Sequence, residues 1–70
     1  RKTAKIRYQV PPLSKPLSLK IEMKDSAGTR VLKDITAKSG EYISLNVPYS
    51  GEATVIILLG GDFVWQDRFN

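Results

Sequence analysis

Hydrophobic and polar residues alternate along most of this chain with a period of two, the signature of strands buried on one face. From Thr3 to Val10, Ala4, Ile6, Tyr8 and Val10 fall on one side, and Lys5, Arg7 and Gln9 on the other. Pro11-Pro12 ends that run, because proline donates no ladder hydrogen bond, and Leu13 to Pro16 reads as a connector. From Leu17 to Lys24 the inner row is Leu17, Leu19, Ile21 and Met23, and the outer row is Ser18, Lys20, Glu22 and Lys24. Asp25-Ser26-Ala27-Gly28, with Asp first and Gly fourth, has the composition of a type I turn. It returns the chain into Thr29 to Thr36, where the alternation is mixed: Val31, Lys33 and Ile35 share a parity, and Leu32 sits with Asp34. A bulge or an edge position accounts for such a mixture.

After a loop at Ala37 to Gly40, the stretch from Tyr42 to Val47 places Ile43, Leu45 and Val47 inward and Ser44 and Asn46 outward. Pro48-Tyr49 is expected to break it. Ser39-Gly40-Glu41 and Ser50-Gly51-Glu52 are matching turn sequences at the spacing of short-stranded sandwiches and barrels. Ala53 to Leu59 is apolar on both parities, which predicts an interior strand with cover on each face or at an interface. Gly60-Gly61 suits a two-residue hairpin turn with positive φ, and Phe63 to Phe69 returns, carrying the only Trp. Large aromatics dominate buried surface, so this last hairpin reads as core. Six short strands and no stripe of helical period predict an all-β domain, a small sandwich or barrel.

Seventy residues allow one domain, near the lower size limit for a core without covalent staples. The formal net charge is +4, unevenly placed. Residues 1–38 hold ten of the eleven Lys and Arg against three acids, a balance of +7, and residues 39–70 hold one against four, or −3. A basic half suits an anionic polymer, and equally keeps exposed strand edges soluble. With no His and no Cys, the commonest catalytic bases, thiol nucleophiles and transition-metal ligands are missing. Asp25, Asp34, Asp62 and Asp67 fall in turns or on outer rows, and neither a calcium loop nor a phosphate-cradling glycine loop is present. No catalytic residue, metal or cofactor is expected.

Binding is the remaining chemistry. Lys5, Arg7, Lys20 and Lys24 form one cationic surface if their strands are neighbours. Nucleic-acid modules interleave aromatics with basic residues on one strand face, whereas Tyr8 has the opposite parity to Lys5 and Arg7, so nucleic acid is not the expected partner. The longest wholly apolar run, Val55 to Leu59, is far shorter than the ~20 residues that cross a bilayer, so no direct membrane insertion by this chain is expected.

Four segments, in order, resemble the small Ig-like C-terminal domain that follows the PASTA repeats in bacterial membrane serine/threonine kinases. They are Lys-Ile-Arg-Tyr-Gln-Val-Pro-Pro, then Leu-Lys-Ile-Glu-Met-Lys-Asp-Ser-Ala-Gly-Thr-Arg-Val-Leu, then Ser-Gly-Glu-Tyr-Ile-Ser-Leu-Asn-Val-Pro, then Gly-Glu-Ala-Thr-Val-Ile-Ile-Leu-Leu-Gly-Gly-Asp-Phe-Val. The resemblance covers nearly the whole chain and rests on order and spacing. It implies an Ig-like β-sandwich, a fragment of a longer single-pass membrane protein, at the extracellular face of the cell membrane. Its role would be that of a non-catalytic accessory element in peptidoglycan sensing, acting by binding or spacing. Peptidoglycan fragments, anionic wall polymer and neighbouring PASTA repeats are the implied partners. The aromatic ending departs from the family pattern, which marks Phe63, Trp65 and Phe69 as a contact surface. Two alternatives stay open: an intracellular nucleic-acid-binding barrel, and a structural module of a secreted enzyme or adhesin.

Overall fold

The structure, a computed structural model, describes residues 2–70. Six strands and no helix occur among them: β1 (Lys2–Gln9), β2 (Leu17–Asp25), β3 (Gly28–Ala37), β4 (Tyr42–Tyr49), β5 (Ala53–Leu59) and β6 (Asp62–Phe69). They form two antiparallel sheets, β1–β4 and β3–β2–β5–β6, packed into a small β-sandwich. The chain crosses between sheets three times, after β1, after β3 and after β4.

The inner rows fill the space between the sheets. Ala4 and Ile6 from β1, Leu19, Ile21 and Met23 from β2, and Ala53, Val55 and Ile57 from β5 are sealed from solvent. Ile43 and Tyr49 from β4 close the core from the other layer. This core follows the alternation, because a side-chain period of two sends one parity inward on each strand.

The mixed pattern of β3 has both anticipated causes. It is an edge strand, and its register slips: Ile21 pairs with Lys33 and Glu22 with Val31, leaving Leu32 as an extra residue that packs on the core. β6 carries a second slip, at Val64, between the pairs Ile57–Trp65 and Leu58–Phe63. Such bulges twist an edge away from further strand pairing.

Two expectations are corrected, and a third, for β5, holds in part. Pro48 does not end β4, which runs on to Tyr49. β4 pairs only with β1, so it is an edge strand, where proline is tolerated. β5 is interior within its sheet, but only one face is sealed: Ile56 and Leu58 on the outer face stay partly open, and no described element lies over them. The returning strand is not wholly core either. Trp65 and Phe69 are partly buried against it, whereas Phe63 is 62% exposed.

The turns match their sequences. Gly60 and Gly61 take φ values of 59° and 84°, the left-handed pair of a two-residue hairpin. The two ends of the described chain meet at one end of the sandwich. Lys2 pairs with Tyr49, whose hydroxyl donates to the Asn70 carbonyl at 2.9 Å and whose ring lies 6.1 Å from that of Phe69.

Candidate functional site: the outer face of the two-stranded sheet

The register of β1 on β4 assembles a surface that no single strand displays. Lys5 lies opposite Asn46, Arg7 opposite Ser44, Gln9 opposite Tyr42 and Thr3 opposite Pro48. Directly paired residues share a face, so these eight point away from the core together, and all eight are exposed. None is a carboxylate. Glu41, just beyond the face, accepts a hydrogen bond from the Lys38 amide at 2.9 Å. Successive outward residues on a strand are roughly 7 Å apart, so the Lys5 and Arg7 charges lie within one Debye length at physiological salt, about 8 Å. That spacing lets both reach a single anion, beside the Asn46 amide and the Ser44 hydroxyl; the Arg7 guanidinium also donates to the Leu45 carbonyl at 3.5 Å, and Gln9 Nε2 to the Gly40 carbonyl. Tyr42, 57% exposed, adds a flat ring at the end of the row.

The other two predicted cations lie elsewhere. β2 belongs to the four-stranded sheet, so Lys20 and Lys24 leave from the opposite outer surface of the sandwich, and the four do not form one patch. Lys20 is also paired with Glu22 at 3.5 Å. Nor do the three aromatics make one surface. Phe63 stands opposite Leu58 on the outer face, while Trp65 opposite Ile57 and Phe69 opposite Ala53 take the inner parity.

An open cleft of about 550 Å³ lies between the edges of β3 and β4, lined by Asp25, Arg30, Val47, Pro48, Tyr49 and Ser50. Its charges are engaged within the fold. The Arg30 guanidinium donates to the Pro48 carbonyl and to Met23 Sδ at 3.3 Å, and pairs with Asp25 at 3.5 Å. The Asp25 side chain is almost fully buried and accepts from the amides of Ser50 at 2.9 Å and Ala27 at 3.0 Å. The Ser50 amide is the largest influence holding this carboxyl below its ordinary pKa; burial opposes it, and the Ala27 amide and Arg30 assist. Asp25 therefore ties the turn after β2 to the crossover after β4. On sequence it looked like an ordinary turn residue. Tyr8, on the inner face of β1, is partly buried, and that burial raises its pKa.

Among the described residues, every buried side-chain nitrogen and oxygen has a hydrogen-bond partner, so none is left aimed at an absent ligand. The outer face of β1–β4 offers charge attraction and hydrogen bonding at an open surface. Set beside known proteins, the chain matches no family model, no curated protein and no solved structure.

Proposed function

We propose that this domain is a non-catalytic recognition module. In this reading the outer face of β1–β4 attracts an anionic polymer, and the order of segments described above points to bacterial cell-wall material as that polymer. The module would be an Ig-like accessory domain on the extracellular side of a PASTA-type kinase, with muropeptide carboxylates or anionic wall polymer as its ligands. The observation that carries the reading is the carboxylate-free face holding Lys5 and Arg7 among Gln9, Ser44 and Asn46.

The test is a titration of ¹⁵N-labelled protein with soluble peptidoglycan fragments, at physiological salt and at 1 M. Shifts are expected at Lys5, Arg7, Ser44 and Asn46, with Lys20 and Lys24 unmoved. At 1 M salt the Debye length falls to about 3 Å, so the shifts should shrink strongly. Unmoved peaks at millimolar fragment would refute a wall ligand. Shifts centred on Lys20 and Lys24 would refute the choice of face.

A second reading has one observation in its favour. Cross-strand pairing sets the exposed Tyr42 ring on the same face as Lys5 and Arg7, an aromatic beside cations, as single-stranded nucleic acid prefers. An oligonucleotide arm separates the two readings. Binding that falls at least ~10-fold in Tyr42→Ala would favour nucleic acid, since stacking on an aromatic is worth about 1–3 kcal/mol per base.

A further inference from the structure

Neither sheet closes on itself, so β1, β4, β3 and β6 are all edge strands. An edge invites another strand unless it is blunted, and β1 is the exception in this set. β3 and β6 each carry a register slip. β4 carries Pro48, which has no N–H and whose carbonyl accepts from the Arg30 guanidinium. β1 has neither bulge nor proline along its 8 residues. Its ladder is in phase with its side chains. One step beyond the Gln9–Tyr42 pair, the Val10 amide donates to the Glu41 carbonyl at 2.8 Å. The pairs of that parity, Ala4–Val47, Ile6–Leu45 and Tyr8–Ile43, are therefore the hydrogen-bonded ones. Thr3, Lys5, Arg7 and Gln9 turn their N–H and C=O away from β4, and among the described residues no hydrogen bond engages those groups.

We propose that the free edge of β1 takes up an extended, acidic segment of a partner protein as an added strand. Backbone hydrogen bonds at Thr3, Lys5, Arg7 and Gln9 hold it, and side chains choose it. Residues set opposite these four share their outward face, so carboxylates there meet Lys5 and Arg7, and β1 itself carries no acid. The same rule excludes a second copy of this chain. Antiparallel pairing of β1 with itself, in each central register that engages the free groups, sets Lys5 or Arg7 against Lys5 or Arg7, and like charges directly opposite are destabilising. The other parity of the added strand turns inward beside Ala4, Ile6 and Tyr8. Tyr8 is still partly open, so apolar residues belong at those positions. The occupant is thus a segment of about the length of β1 in which Asp or Glu alternates with apolar residues.

This goes beyond the wall-polymer reading and does not rest on it. A polymer needs only the Lys5 and Arg7 charges, whereas a strand needs the backbone groups beside them.

The probe is an acetylated, amidated peptide of about nine residues alternating Glu and Val, titrated to about 5 mM into the ¹⁵N-labelled chain, a range that captures weak binding. Amide shifts are expected to centre on Thr3, Lys5, Arg7 and Gln9, with hydrogen exchange at those amides slowed at least ~5-fold near saturation and the edges of β3 and β6 unmoved. The same peptide N-methylated at its Glu residues keeps its charge but loses the donors that meet β1, and should bind at least ~10-fold more weakly. Lys5→Glu with Arg7→Glu should reject the Glu–Val peptide and accept its Lys–Val counterpart. Methylated and unmethylated peptides that bind alike would overturn the proposal and leave the wall-polymer reading standing, because charge alone would then suffice. An absence of shifts at about 5 mM, or shifts centred on another edge, would overturn it as well.

Discussion

Ile56 and Ile57 are adjacent, identical side chains on one interior strand, and they provide an internally controlled test of which face of β5 is core. Ile57 is sealed between the sheets. Ile57→Ala removes three carbons at about 0.8 kcal/mol each and leaves a cavity, so it should cost roughly 3–4 kcal/mol. Ile56 is partly open on the outer face. Ile56→Ala leaves no enclosed void and should cost only about 1 kcal/mol, for the partial burial and the poorer strand propensity of Ala. A domain of this size has a total stability of roughly 4–10 kcal/mol, so the first change consumes much of it and the second little. At about 4–8 °C per kcal/mol, the melting temperature should fall by roughly 12–30 °C in Ile57→Ala and by under ~10 °C in Ile56→Ala. Urea and thermal unfolding at about 10 μM provide the measurement. Equal costs at that concentration would refute one-sided burial of β5 and mean that the outer face is covered within the monomer.

Four further outcomes follow from the same contacts. The pKa of Asp25 is lowered in the folded state, so its carboxylate contributes stability above the unfolded value near 3.9 and loses it as pH falls through the lower folded value. Asp25→Asn should therefore be destabilised at pH 7 and show a flatter decline in urea midpoint between pH 5 and pH 2. Tyr8 shifts the other way: its contribution is intact below pH 10 and lost as pH rises through the raised folded value. Tyr8→Phe should therefore decline less than the parent protein above pH 10. Gly61 has open space around its α-carbon but a φ of 84°, so Gly61→Val should cost about 1–2 kcal/mol and Gly61→Asn less, read from urea midpoints. Lys5→Glu with Arg7→Glu should abolish the fragment-induced shifts on the β1–β4 face without altering the melting temperature by more than a few degrees.

Local alternation made the strands legible, and nonlocal pairing hid the surfaces. The inner parities of β1, β2 and β4 could be assigned because each strand needs only its own period of two, whereas β5, apolar on both parities, gave no such signal. Leu32 spoiled the parity of β3, and the slip opposite Ile21 and Glu22 explains it. Strand order was beyond reach, since nothing in Lys-Ile-Arg-Tyr says that its neighbour lies some 40 residues on, at β4. That missing fact separated Lys5 and Arg7 from Lys20 and Lys24. It also concealed Tyr42, Ser44 and Asn46 as their companions, although the outward parity of Ser44 and Asn46 was already plain. Phe63 misled for another reason: the extra residue at Val64 switches the strand's parity between Phe63 and Trp65, placing two aromatics of one strand on opposite faces.

The meeting of Lys2 and Asn70 beside Tyr49 has a mechanical consequence. Because both ends of the described chain sit at one end of the sandwich, a force applied between them acts across the strands and not along them. Tension applied across the two ends would not load the ladders in shear, where many hydrogen bonds share the force. It would peel β1 from β4 starting at the Lys2–Tyr49 pair and β6 from β5 starting at Phe69–Ala53, one pair at a time. The Tyr49 hydroxyl and its ring contact with Phe69 are the latch at which that unzipping would begin.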